Sequence, residues 1–362
     1  MEPNDSAWMA RALQLAGQGM FTTTPNPRVG CVLVKDGQVI GEGWHVKAGE
    51  PHAEPLALRA ADGRAQGASV YVTLEPCSHH GRTPPCADGL IAAGVARVVI
   101  AMQDPNPLVA GRGIAALRAA GIEVECGLME AEARLLNIGF DKRMKQGLPW
   151  VRSKIAASLD GRTALANGTS QWITGEAARR DVHIWRARSC AVLTGIDTVL
   201  ADDAQLSVRH VETTRQPLRV VLDSHLRLPP AARIFLGGTV LVVTATADAE
   251  KHAALQQAGA TVVVLADEGG RVDLAATLRH LATIGCNEVL VEAGTTLNGA
   301  LLKAGLVDEL VLYFAPQLLG DMARGMAQLG ELAALDERVG LVWQDVRQVG
   351  NDLRIVVKVK RE

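Results

Sequence analysis

His52-Ala53-Glu54, followed by Glu75-Pro76-Cys77 and then by Cys86, constrains this chain more than any other feature. One imidazole and two thiols suit a tetrahedral zinc whose fourth position stays open, whereas structural zinc sites are closed by four protein ligands. The three donors lie far apart in sequence, so they can act together only if the intervening elements pack in one way. Pro51 suits the first turn of a helix that carries His52 and Glu54. Val70 to Leu74 reads as a strand that delivers Glu75-Pro76-Cys77 at its end, and Pro84-Pro85 opens a helix bearing Cys86. Two helix N-termini then face one another across the donors, and their dipoles favour thiolates. Water on such a zinc ionises near neutral pH, and a carboxylate placed like Glu54 can move its proton without touching the metal.

With 362 residues the chain is long for one domain and suits two. It is 48% hydrophobic and 21% charged, enough apolar material for two cores in a soluble protein. A formal net charge of −2 and an aromatic content of 3% argue against nucleic acid as a partner, because neither a basic field nor a base-stacking surface is on offer. Met1-Glu2-Pro3-Asn4-Asp5 lacks an apolar signal core, and no apolar run reaches the length of a membrane span. The expectation is a cytoplasmic protein with no membrane partner. Of the six cysteines, Cys31, Cys126, Cys190 and Cys286 lie in or beside apolar runs and read as small core residues, not as a disulfide framework.

The first half alternates helix and strand signals. Asn4 or Asp5 can cap a helix whose apolar face is Trp8, Met9, Ala12, Leu13 and Ala16. Val29 to Lys35 and Gln38 to Glu42 flank Asp36-Gly37, a two-residue hairpin signal. Arg97 to Met102 and Ile122 to Cys126 read as strands, with a helix around Gly113 to Ala120 between them and one last helix from Met129 to Lys145. The Gly/Pro-marked stretch Gln146-Gly147-Leu148-Pro149 ends the first domain, which places the boundaries at 1–147 and 150–362. Beyond it, strands are expected at Val151–Ala157, Ala191–Thr194, Leu218–Asp223, Val240–Thr244, Thr261–Leu265 and Glu288–Glu292. Helices are expected at Gly175–Arg188, Ala249–Ala258, Leu274–Ile284 and Leu297–Lys303. The tail reads as β at Glu309–Ala315, Leu341–Val349 and Leu353–Val359, so the second half should be a mixed sheet flanked by helices.

Cys77 and Cys86 are separated by eight residues, not by the two of a Cys-x-x-Cys knuckle. The inserted loop carries His79, His80 and Arg82, which either read a substrate or are solvated; a closed four-ligand site using His79 or His80 is the structural alternative. Asn26, between Pro25 and Pro27, sits in a fixed turn whose amide can meet a pyrimidine edge, or which is merely rigid; Asp104-Pro105-Asn106-Pro107 reads the same two ways. His-x-Glu with Pro-Cys is the signature of zinc nucleobase deaminases. Together with Thr73-Leu74-Glu75-Pro76-Cys77, the long insert ending Thr83-Pro84-Pro85-Cys86 and Asp104-Pro105-Asn106-Pro107, it resembles the bifunctional RibD family of riboflavin biosynthesis. A second reading is a nucleoside or tRNA-base deaminase fused to an unrelated domain; the long insert and the absence of a basic charge balance stand against it.

In the second half, Lys154-Ile155-Ala156-Ala157-Ser158-Leu159-Asp160-Gly161-Arg162 leads a strand into a glycine turn, and Val291-Glu292-Ala293-Gly294 ends a strand before Thr295-Thr296-Leu297 opens a helix. A glycine turn at a helix start presents backbone amides to an anion such as a dinucleotide phosphate. The one G-x-G-x-x-A match, from Gly111 to Ala116, lies well after its strand in the first half, so it fails the context test for a Rossmann fingerprint. Gly111 to Gly113 read as a loop near a substrate phosphate. The segments from Lys154 onward resemble the reductase domain of the same family.

The resemblance implies a cytidine-deaminase-like α/β/α domain followed by a dihydrofolate-reductase-like mixed-sheet domain. It also implies zinc on His52, Cys77 and Cys86 with Glu54 as the catalytic proton carrier, and NADPH as the second cofactor. Implied NADPH contacts are Ala156, Trp172, Thr198, Asp202, Ser224 and the segment Gly294, Thr295, Thr296, Leu297, Asn298, Gly299 and Ala300. Implied substrate contacts are Ser170, Arg186, Leu206, Arg209 and Glu292, with Asn26 in the first half. Arg186 and Arg209 suit a sugar phosphate, or are surface ion pairs; Trp172 flanks a nicotinamide, or fills core. The implied partner is a phosphoribosyl pyrimidine small molecule, handled by a homo-oligomer.

Overall fold

The computed structural model describes residues 4–78 and 84–360. The chain forms two compact units, Met1–Leu148 and Pro149–Glu362. In the first, α1 (Asp5–Gln18), β1 (Gly30–Lys35), β2 (Gln38–Trp44), α2 (Ala53–Ala60), β3 (Ser69–Val72), α3 (Cys86–Ala92), β4 (Arg97–Ile100), α4 (Arg112–Ala119), β5 (Glu123–Cys126), α5 (Glu130–Leu136) and α6 (Ile138–Gln146) follow in order. Among the described residues the strands form one sheet in the order β2-β1-β3-β4-β5, antiparallel at β2-β1-β3 and parallel at β3-β4-β5. Asp36 and Gly37 both hold positive φ, 51° and 72°, as the tight hairpin between β1 and β2 requires.

Strand alternation builds a three-layer unit. Val32, Val34, Tyr71 and Val99 pack with Met9, Ala12 and Leu15 of α1 and Ala133 of α5 on one face. Cys31, Leu33, Val70, Val72 and Val98 meet Ala53, Ala57, Ala87, Leu90, Ile114 and Leu117 of α2, α3 and α4 on the other. Helix α2 lies so close to β2 that a Cβ on Gly43 would meet Ala53 O at 2.5 Å and Ala57 N at 2.6 Å. The small residue therefore sets the depth of the helix that carries Glu54.

The second unit holds β6 (Trp150–Ser158), β7 (Arg162–Ala164), α7 (Glu176–Arg188), β8 (Ala191–Gly195), α8 (Ile196–Asp202), β9 (Leu218–Leu222), β10 (Val240–Thr244), α9 (Ala249–Gln257), β11 (Ala260–Val264), α10 (Leu274–Thr283), β12 (Glu288–Glu292), α11 (Thr295–Lys303), β13 (Glu309–Ala315), β14 (Arg324–Gly325), β15 (Leu341–Val349) and β16 (Asp352–Val359). Its main sheet runs β11-β10-β9-β8-β12-β6-β13-β16-β15. All neighbours are parallel up to β13, after which β16 and β15 are antiparallel. The parallel strands are near-continuous buried Val/Leu runs, as sheets covered on both faces require, whereas β15 at the edge is largely exposed. The expected mixed sheet is present. Helix α8 and the short pair β7–β14 are additions that short, weakly patterned segments did not announce.

Three local expectations are corrected. The single helix over 129–145 is two, α5 and α6, broken at Asn137: its buried amide accepts Arg28 N–H at 2.7 Å and donates to Arg28 O at 2.9 Å. Asn4 holds the N-cap position of α1 without a side-chain cap bond, and Asp5 is no cap either: it is buried against Arg97 (2.8 Å) and accepts Tyr71 O–H (2.7 Å). Cys126, read as core, is exposed, because β5 is the sheet edge; Cys31, Cys190 and Cys286 are buried as expected. Among the described residues no helix is long and apolar enough to cross a membrane.

Candidate active sites

His52 occupies the N-cap of α2 and Cys86 the first position of α3, so α2 begins one residue after its donor and α3 begins on its own. His52 Nδ1 lies 3.3 Å from Cys86 Sγ and 3.7 Å from Cys77 Sγ, and all three donor atoms fall within 4.8 Å of one another. Zinc–sulfur bonds of about 2.3 Å and a zinc–nitrogen bond of about 2.0 Å at a tetrahedral angle put N and S about 3.5 Å apart. The two observed separations bracket that value, and the one-nitrogen, two-sulfur set fits zinc. Cys77 Sγ also accepts the Cys86 N–H at 3.3 Å, the first amide of α3, and Cys77 O accepts Ala87 N–H at 3.1 Å. The hydrogen bond from Cys86, with His52 assisting against burial, pulls Cys77 down to about 4, while the same bond and burial push Cys86 up. The pocket thus holds thiolate readily.

Glu54, in the first turn of α2, is 3% exposed, and burial pushes its carboxyl above the usual range. A residue absent from the sequence reading joins this site. His45, just after β2, is buried, with its ring edge-on to His52 at a centroid distance of 5.4 Å. Its Nδ1 is 3.0 Å from Pro51 O, which can only accept, so Nδ1 carries the proton and Nε2 accepts from Asn26 Nδ2 at 3.0 Å. Burial lowers the His45 pKa and keeps the ring neutral. No motif marks His45; only the return of β2 beside α2 brings it to His52.

The loop after β4 is held by local hydrogen bonds: Asn106 N–H bonds Asp104 Oδ1 at 2.8 Å, and Leu108 N–H bonds Asn106 Oδ1 at 3.1 Å. The amides of Gly111 and Gly113, read as lying near a substrate phosphate, already have a partner within the chain. Both are taken by the Glu75 carboxylate, at 2.9 Å each. His79, His80 and Arg82 lie outside the described residues.

In the second unit several named residues lie on parallel strands or just beyond their C-terminal ends, where open α/β sheets bind ligands. Lys154 and Ala156 lie on β6, Glu292 ends β12 opposite Lys154, Thr198 and Asp202 lie on α8 after β8, and Ser224 follows β9. Arg186 of α7 forks onto Glu292, with 2.5 Å and 2.9 Å contacts, and donates to Ser207 O at 3.1 Å. Lys154 Nζ is 3.9 Å from Glu292. Burial would raise the Glu292 carboxyl, yet Arg186 and Lys154 hold it at about 2. Arg209 is exposed. Its amide donates to His183 Nδ1 at 3.2 Å, and burial with the cations Arg186 and Arg209 lowers His183 to about 4. Sequence reasoning missed His183 too.

Ser170 and Trp172 lie on the loop before α7. Trp172 is 69% exposed, with the Arg179 guanidinium 4.6 Å from its ring, and neighbouring Gln171 bonds Asp202 at 3.0 Å. It does not fill core. Gly294, extended at the N-cap of α11, leads into the first-turn amides of Thr295, Thr296 and Leu297, a geometry that suits a phosphate. Asn298 instead holds the segment from inside, bonding Ser153 Oγ, Ala293 O and Met326 O, and a Cβ on Gly299 would meet Gln328 O at 2.2 Å. Ala300 continues α11. Leu206 is buried with φ 53°, and Ser224 Oγ accepts Val272 N–H at 3.1 Å.

Fold and site together define a zinc deaminase domain followed by a reductase domain. Residues 2–102 match the cytidine and deoxycytidylate deaminase zinc-binding region, and residues 149–355 match the RibD C-terminal domain. The riboflavin biosynthesis protein RibD of Escherichia coli (strain K12) is 52% identical, covering 96% of this chain and 98% of its own length. The solved RibD of Acinetobacter baumannii (form 1) is 48% identical, with a TM-score of 0.92 over 99% of both chains. A Thermotoga maritima diaminohydroxyphosphoribosylaminopyrimidine deaminase/5-amino-6-(5-phosphoribosylamino)uracil reductase is 34% identical, with a TM-score of 0.87 over 98% of this chain and 99% of that one. This chain belongs to the RibD family: it is a bifunctional enzyme of riboflavin biosynthesis with deaminase and reductase activities.

Proposed function

We propose that residues 1–147 deaminate 2,5-diamino-6-ribosylamino-4(3H)-pyrimidinone 5′-phosphate. Residues 150–362 then reduce the ribosyl side chain with NADPH, giving 5-amino-6-(5-phosphoribitylamino)uracil. The observation that carries the reading is the convergence of His52, Cys77 and Cys86 beside the buried Glu54. Zinc, when bound there, supplies a Lewis acid that activates water at neutral pH. Glu54 is too buried to be solvated, so its carboxylate holds the proton given up by the nucleophile and returns it to the departing amine. His45, neutral and locked by Pro51, orients Asn26 and leaves the amide oxygen of Asn26 to meet a ring N–H of the pyrimidine.

In the second unit NADPH, when bound, supplies hydride. The first-turn amides of α11, Trp172 and the neighbouring segment suit its phosphates and ring, and Thr198, Asp202, Ser224 and Ala156 line the same end of the sheet. Glu292, with its charge fixed by Arg186 and Lys154, orients the pyrimidine, and Arg209 faces the sugar phosphate beside Ser170 and Leu206. A homo-oligomer is supported by the exposed apolar residues Leu341, Val342, Trp343 and Val346 on the edge strand β15. The enzyme acts in the cytoplasm on a small molecule.

Glu54→Gln tests the assignment. Ammonia release should be lost while zinc content stays at the wild-type level and NADPH oxidation with the deaminated substrate continues. A variant that deaminates at the normal rate refutes the role of Glu54.

A further inference from the structure

We propose that Glu75 is the positioning residue for the Cys77 ligand, and that its carboxylate sets how firmly the chain retains zinc. The carboxylate is 3% exposed and is saturated by four backbone amides. Oε1 accepts Gly113 N–H at 2.9 Å and Ile114 N–H at 3.2 Å. Oε2 accepts Gly111 N–H at 2.9 Å and Asp104 N–H at 3.2 Å. A buried carboxylate is costly unless hydrogen-bonded, so these four bonds tie the end of β3 to both the loop after β4 and the start of α4.

The tie is close on its other side as well. A Cβ on Gly113 would lie 2.0 Å from Pro76 O, so the helix start bears directly on the peptide preceding Cys77. Glu75 N–H bonds Met102 O at 3.0 Å, which continues the β3–β4 pairing to the last residue before the proline turn. Glu75 and Pro76 are therefore held from three sides, and Cys77 follows with its sulfur 3.7 Å from His52 Nδ1. Groups that orient a metal ligand without touching the metal commonly change metal affinity about 10- to 100-fold when replaced.

Glu75→Gln preserves the shape but puts an NH₂ donor against two of the four amides. Titrating the full chain with a competing chelator should show zinc held about 10- to 100-fold more weakly than in the wild type. Deamination should recover with excess zinc, and NADPH oxidation should be unchanged. A purely structural role would lower the melting temperature and leave zinc affinity alone. Gly113→Ala keeps the carboxylate and displaces Pro76, and it carries the same test should Glu75→Gln fail to fold. In the wild-type chain, stripping zinc should speed hydrogen exchange at the Gly111, Gly113 and Ile114 amides, since the coupling is reciprocal. Wild-type zinc affinity in either folded variant, or amide exchange indifferent to zinc, overturns the proposal. The inference rests on Cys77 being a zinc ligand; a wild-type chain that binds no zinc would sink that reading first and separately.

Discussion

Glu292→Gln should unbalance the reductase core by an amount the structure allows to be worked out. The Glu292 side chain is 10% exposed and lies between Arg186 (2.5 Å) and Lys154 (3.9 Å). Its carboxyl is held at about 2, against about 4.3 in an unfolded chain. At about 1.4 kcal/mol per unit the ionised form contributes on the order of 3 kcal/mol. Because the folded value is the lower one, that contribution is complete above about pH 4.3 and fades as pH falls toward 2. Truncating one partner of a buried pair costs about 3–5 kcal/mol, which agrees. In a unit the size of Pro149–Glu362 each kcal/mol moves the melting point by about 2–4 °C, so the loss should be about 6–12 °C at pH 7. Calorimetry of the full chain should show this shift in the reductase transition alone, with the gap between the two proteins narrowing as pH falls below about 4.3 and closing near pH 2. Equal melting points at pH 7, or a gap that persists undiminished in acid, would refute the reasoning.

Two other outcomes are expected. Gly43→Ala must push α2 outward, because the added methyl would sit 2.5 Å from Ala53 O; zinc affinity and deamination should fall together while NADPH oxidation stays level, measured on one preparation. Arg209→Ala should raise the reductase KM for the phosphorylated substrate with little change in kcat, and should flatten its salt dependence; an unchanged KM removes Arg209 from the phosphate site.

The sequence alone determined most of the elements and the metal chemistry. The hairpin at Asp36-Gly37, the proline-marked starts of α2 and α3, and the valine-rich parallel strands are local signals, and local propensity decided them. The zinc donors were legible because each sits at a helix start or a strand end beside a proline. The family followed from the residues around them. What remained hidden lies between residues distant in the chain. Asn137 breaks a helix because of Arg28, 109 positions away, and Arg186 finds Glu292 across 106. His45 reaches His52 only because β2 returns beside α2, and Glu75 became a clamp only when α4 docked against Pro76. Cys126 looked like core until the sheet order put β5 at an edge. A hydrophobic period or a turn residue acts over a few positions and is written in sequence. A buried charge or amide is decided by whatever partner the tertiary fold brings to it, since burial without one is too costly to persist.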